Sequence, residues 1–359
     1  MVKLIQVAHA IYQHDGASEV VLSLDRIFKQ LGYASMIYAH TYDERQQYPV
    51  RPLAELVSTP EDIIIYHMTG DALPHKWIYT YPGKVVLVYR ALLPGQCFGK
   101  NIFGTLLSRF QVRRELRRLL KHTMFAWGDS SHSCEKLHRL GLIYAKILPA
   151  LAEPEKYLGY KPLPLLYKRY QDGCCNLLVV GRGVPYKKQD EALRILKYYH
   201  DHISEHVRLL LVGKMEAAFD KRLHALVKEL QLQEHVVFTG QVSQEELCTY
   251  YRLADAVLSL SEHEGFCVPI VEGMIFDKPV FAYACPAVPE TMGKAGILLT
   301  DKTPAVAAQL IHHTLEDTAV LQQLALERKK RLAELSYDRL YHQVEADLKE
   351  IITLWRENR

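Results

Sequence analysis

The chain has 359 residues, enough for about two domains each with its own core. A net charge of +3 at pH 7 is too small to point to nucleic acid, and no run of eighteen apolar residues offers a membrane span. Seven cysteines without a Cys-x-x-Cys pair suit a reduced, cytoplasmic protein rather than a disulfide scaffold.

MVKLIQVAHA begins on a strand and lacks the apolar core and cleavage site of a signal peptide. A helical pattern runs from Val20 to Gln30. The Asp15-Gly16-Ala17 turn before it has two readings, a ligand-facing glycine loop or a plain strand-to-helix turn. YASMIYA, DIIIYHM and GKVVLVYRA read as further strands. His67 closes one of them, and a lone histidine there is more often packed or capping than catalytic.

Residues 108–122, SRFQVRRELRRLLKH, form the most basic segment, with Arg109, Arg113, Arg114, Arg117, Arg118 and Lys121 against Glu115. Phe110, Leu116, Leu119 and Leu120 give it an apolar side, so it is an amphipathic surface helix or a peripheral contact with anionic lipid. A strand and a short helix follow in MFAWGDSSHSCEKLHRLG. Residues 156–175, rich in Pro, Tyr and Lys and without periodicity, read as a linker. The expected division is 1–155, linker, and 176–336, with a C-terminal amphipathic helix over 337–359.

The second half opens on a strand that runs into Gly181, Arg182 and, before a helix, Lys187. A planar guanidinium and a mobile ammonium at a strand's carboxyl end suit a diphosphate. VRLLLVGK and VVFTGQVSQEEL supply two more strand ends, at Gly213 and at Gly240-Gln241-Val242. Ser243 is most simply a helix cap. The densest stretch is ADAVLSLSEHEGFCVPIVEGMIFDKPVFAYA, read as strand, loop, helix, strand, with Pro269 in the first helical turn. Gly265, Phe266, Cys267 and Val268 then lie at a helix N-terminus, a favourable place for a diphosphate. Glu264 and Glu272 bracket that turn, and each carboxylate is able to accept hydrogen bonds from a vicinal diol.

In their order, G-R-x-x-x-x-K from Gly181 to Lys187 and E-x7-E from Glu264 to Glu272 resemble glycosyltransferase family 4. The resemblance implies an α/β GT-B fold, two Rossmann-like parallel-sheet domains facing across a cleft, with a C-terminal helix crossing back so that Trp355 packs between domains. It implies a retaining, metal-independent hexosyl transfer from a UDP- or GDP-sugar to a glycan or lipid-linked acceptor in surface polysaccharide synthesis. By the same resemblance Glu272 holds the ribose, Glu264 the donor sugar, and Arg182 and Lys187 the β-phosphate. Gly16, Gly181, Gly213 and Val242 border the donor. No D-x-D triplet, metal-ligand cluster or Walker A spacing is present, and no cofactor or metal is expected. Where several members carry Tyr-His-Asn, this chain has Tyr89-Arg90-Ala91, which alters an expected sugar contact. The rival readings are a sugar-nucleotide epimerase on the same fold and a donor-binding subunit without turnover.

Overall fold

A computed structural model describes residues 2–12, 16–43, 48–68, 76–90 and 112–358. The chain forms two compact units, unit 1 from Met1–Leu151 with Leu335–Arg359, and unit 2 from Ala152–Glu334.

Unit 1 is built on a seven-stranded sheet in the order β3-β2-β1-β4-β5-β6-β7. The strands are β1 Lys3–Ile11, β2 Ala34–Tyr42, β3 Val50–Pro52, β4 Ile63–Met68, β5 Val85–Tyr89, β6 Thr123–Gly128 and β7 Ala145–Ile147. Every pairing is parallel. Parallel strands need crossovers, and helices on the sheet faces leave strands such as β4 and β5 buried throughout. The helices are α1 Gly16–Gln30, α2 over 112–120 and α3 Ser131–Arg139.

The last helix of the chain, α13 Tyr337–Glu357, also belongs to this unit. Val344, Leu348, Ile351 and Trp355 join one core cluster with Leu4, Leu24, Phe28 and Trp127. Trp355 is therefore part of unit 1's own core. The buried Asp347 accepts from Trp127 Nε1 at 2.8 Å and pairs with Lys146 at 2.9 Å, so this inward-facing acid is satisfied.

Unit 2 carries a six-stranded parallel sheet in the order β10-β9-β8-β11-β12-β13. Its strands are β8 Cys175–Val180, β9 Val207–Val212, β10 Val236–Gly240, β11 Ala256–Ser259, β12 Val280–Tyr283 and β13 Ile297–Leu299. The segment read as a linker carries α5 Pro164–Tyr170, preceded by α4 Pro154–Leu158, each with proline in its first turn. The remaining helices are α6 Gln189–His202, α7 Ala217–Glu229, α8 Gln244–Leu253, α9 Val268–Ile275, α10 Val288–Met292, α11 Pro304–Glu316 and α12 Thr318–Glu334. Strand order reverses between β8 and β11, and in open α/β sheets ligands bind beyond the carboxyl ends at such a switch point.

Candidate functional site

At the carboxyl end of β8 the backbone turns through Gly181, Arg182 and Gly183 and is laced to its neighbours. Gly181 N–H donates to Val212 O, Gly183 N–H to Lys214 O, and Gly213 N–H to Gly240 O, each at 2.9 Å. Gly213 has φ +137°, and a Cβ there would stand 2.2 Å from Gly181 O, so this approach requires glycine. These glycines shape the floor of the site, and the N–H groups of Gly181 and Gly213 are engaged within it. Arg182 is exposed, its carbonyl accepting from Gln189 Nε2 at 3.2 Å. A 3-10 turn over Pro185–Lys187 leads to Lys188 in the left-handed region and then into α6.

The second loop follows β11. Glu262 N–H donates to Tyr186 O at 2.9 Å, so the two motif loops touch through their backbones. Two residues on, the sequence-predicted groups meet: Lys187 Nζ lies 2.5 Å from Glu264 Oε1, with only 17% and 9% of the two side chains exposed. Burial alone would lower the Lys187 ammonium, but the Glu264 charge and hydrogen bond outweigh it and hold the group above its ordinary value. Thr291 Oγ1 donates to Phe266 O at 2.5 Å and anchors the loop. Cys267, also left-handed at φ 73°, caps α9. Burial pushes its thiol well up, so it stays neutral beside Ser259 Oγ, 3.3 Å away. Phe266, Cys267 and Val268 thus stand at the positive end of α9, with Gly265 just before them.

Glu272 lies on the buried side of α9. Its Oε2 accepts from Tyr251 Oη at 2.6 Å. Burial raises its carboxyl, and hydrogen bonds from Tyr251 and Tyr157 offset this only in part. The Tyr251 ring stacks on Phe276 with centroids 5.2 Å apart and planes 3° from parallel. Neither tyrosine stands out in the sequence, since Tyr251 is one of two adjacent tyrosines in α8 and Tyr157 falls just inside the segment read as a linker. Val242 follows β10, half-buried, next to a capping box in which Ser243 Oγ accepts from Glu246 N–H at 3.2 Å and Glu246 Oε2 from Ser243 N–H at 2.7 Å.

Gly16 lies in unit 1, at the start of α1, with its carbonyl bonded to Arg90 Nη2 at 2.9 Å. Asp15 and Ala91 fall outside the described residues. His67 is packed, as a lone strand-end histidine more often is. Its Nε2 is 2.9 Å from Gln6 Oε1, and burial together with the Arg90 charge lowers it to about 3. Of the basic segment, Arg109 and Phe110 are outside the described residues, whereas Arg113, Arg114, Arg117 and Arg118 are exposed on α2. The Arg118 guanidinium sits 4.1 Å from the Tyr79 ring centroid. Among the described residues no helix is long and apolar enough to cross a membrane.

Residues 175–334 match the family described as Glycosyl transferases group 1. Among curated proteins, the trehalose synthase of Thermococcus litoralis is 29% identical over 164 residues, covering 43% of this chain and 39% of that protein. The D-inositol 3-phosphate glycosyltransferase of Streptomyces bingchenggensis is 28% identical over 155 residues, covering 41% and 34%. The chain thus spans less than half the length of these curated relatives. A solved structure of Anabaena Alr3699/HepE in complex with UDP-glucose aligns over 97% of this chain and 99% of that one, with TM-score 0.75 and 19% identity, a likeness of fold.

Proposed function

We propose, from the match of residues 175–334 to the glycosyl transferases group 1, that this chain transfers a hexosyl unit, with retention, from a nucleotide diphosphate sugar to a glycan or lipid-linked acceptor. The observation that supports this most is the contact of Lys187 with Glu264 at 2.5 Å. It brings the cation of one motif onto the carboxylate of the other, beyond the switch point of the sheet. The ammonium has three donors, and a phosphate oxygen competes with Glu264 for them.

In this reading Glu272 accepts from the ribose hydroxyls and Glu264 from the hydroxyls of the donor sugar. Arg182, Lys187 and the start of α9 meet the diphosphate, supplying from the protein the charge a departing phosphate needs. The β-phosphate takes the acceptor's proton on the face it leaves, which preserves the anomeric configuration. The protein whose structure holds UDP-glucose makes that sugar the first donor to try.

A thermal-shift panel of UDP, GDP, ADP and their sugars without added metal tests the donor site. One base at a hundred times its Kd should add about 2.7 kcal/mol of stability, and no shift with any nucleotide would remove the reading. With a donor in hand, Arg182→Ala should cost roughly 2.7–4 kcal/mol in the transition state, as for one lost oxyanion donor. Unchanged turnover would end that role. The exposed arginines of α2 make a peripheral contact with anionic lipid in this reading. Co-sedimentation should then follow the anionic fraction of the vesicles and fail with neutral ones, and equal binding to both would refute it.

A further inference from the structure

Beside the Lys187–Glu264 pair, four charged side chains from three segments of unit 2 close a ring, Lys188 and Glu191 both from the start of α6. Lys188 Nζ lies 3.0 Å from Glu262 Oε1 and 3.3 Å from Glu191 Oε1. Lys302 Nζ lies 2.7 Å from Glu191 Oε2 and 3.4 Å from Glu262 Oε1. Each charge thus has two opposite neighbours, the arrangement in which partly exposed ion pairs matter, where an isolated pair contributes little. Lys302 is 13% exposed, and its ammonium is also 4.2 Å from the Tyr283 ring centroid.

The backbone supplies an independent observation. Lys188 has φ 58° and ψ 36°, a conformation unfavourable to any residue with a Cβ, and one that persists where the surroundings over-determine it. Of the four non-glycine residues with positive φ among those described, two, Lys188 and Cys267, cap the helices that follow the two motif loops. The left-handed turn lets consecutive lysines reach acids two residues apart, Lys187 to Glu264 and Lys188 to Glu262. Burial would lower the Lys188 ammonium, but its bond to Glu262 and the nearby carboxylates raise it.

We infer that Lys188, Glu191, Glu262 and Lys302 are positioning residues, a brace that keeps the loop of Lys187 against the loop of Glu264 while ligand competes for their ion pair. A phosphate that draws Lys187 away from Glu264 loosens the most buried link between the loops. What remains is the Glu262 N–H bond to Tyr186 O and the ring. The ring is balanced in charge, so it sets a distance without attracting or repelling an anion. The kinetic part of this inference rests on the proposed sugar-nucleotide reaction; the mechanical part does not.

Three variants separate the possibilities: Lys188→Gly, which relaxes the backbone and deletes the charge, Lys188→Arg, which keeps the charge, and Glu262→Gln. Amide hydrogen exchange in the ligand-free protein reads the loops over 183–188 and 260–267, and donor KM and kcat are measured with UDP-glucose or whichever sugar nucleotide shifts the wild type. In Lys188→Gly and Glu262→Gln both loops should exchange about fivefold faster. Donor KM should rise about tenfold, the combined effect of losing both ring contacts of one residue. Lys188→Gly should nevertheless melt no lower than wild type, because glycine is at ease at that φ, and Lys188→Arg should keep wild-type exchange and KM. Unchanged loop exchange in both charge-deleting variants would overturn the brace, and faster exchange with wild-type KM would overturn its positioning role. Faster exchange in a protein that binds no nucleotide at all would leave the brace standing and remove the proposed function instead.

Discussion

Glu272 is an acid held where the fold alone would not choose one. It is buried, and two tyrosine hydroxyls offset only part of the cost of its charge, so its carboxyl titrates above the ordinary range. A raised folded value means the native state binds this proton more tightly than the unfolded chain, whose glutamates titrate near about 4.3. The cost of the charge is therefore present at neutral pH and fades as pH falls through the raised value. Glu272→Gln keeps an acceptor for Tyr251 and removes the charge, so at pH 7 it should stabilise the ligand-free protein by about 1 kcal/mol. It should also weaken nucleotide binding by about 1.5–3 kcal/mol, the worth of a hydrogen bond to a charged group. Urea titrations from pH 7 to pH 4 check the sign, since the gain must shrink as pH falls through the raised value towards the unfolded one. A Gln variant less stable at pH 7, or a pH-independent difference, would show that the acid is there for the fold. The sequence discloses this glutamate through its spacing from Glu264 but not its supports, because Tyr251 approaches from α8, twenty-one positions upstream.

At the scale of the element, what the sequence shows depends on what covers it. Strands such as β4, β5 and β8 lie under helices, so each carries an apolar run (III, VVLV and LLVV), and their carboxyl ends locate the site from the residues alone. The edge strands β3 and β7 have three residues each, with none of them buried, so no run marks them. The helices α4 and α5 are equally silent, because five and seven residues are too few for a helical period to emerge. Their prolines resemble a linker's, yet the segment is bonded into unit 2: Leu163 N–H donates to Thr249 Oγ1 at 3.0 Å, and Asn176 Nδ2 to Tyr170 O at 3.1 Å. The start of α9 is legible from Pro269, but its cap is not, since nothing about a cysteine announces a positive φ. Close packing of that helix is equally hidden: a Cβ on Gly273 would stand 2.9 Å from Val280 Cγ2 and 3.2 Å from Val257 Cγ2, so α9 lies directly on β11 and β12.

For the molecule as a whole, the two units differ in how the chain builds them. Unit 2 is one continuous stretch, Ala152–Glu334, whose sheet and core cluster, from Leu177 to Ile311, are drawn from that stretch alone. Unit 1 needs two stretches, because α13 supplies Val344, Leu348, Ile351 and Trp355 to the cluster around Leu4, Phe28 and Trp127. Without α13, that cluster would open to water and Trp127 Nε1 would lose Asp347, a loss of the kind that costs several kcal/mol where a whole stability is about 5–15. A fragment of residues 152–334 should therefore fold cooperatively by itself and keep the nucleotide response of the full chain, since Lys187, Glu264, Glu272 and Tyr251 all lie within it. A fragment of residues 1–151 should fail to give a cooperative transition until a peptide of residues 335–359 is added. Circular dichroism melts of the two fragments, with and without the peptide and the nucleotide, decide the matter. A cooperative fold in residues 1–151 alone would show that α13 is an accessory to unit 1, and a folded 152–334 fragment blind to nucleotide would place part of the donor site outside unit 2.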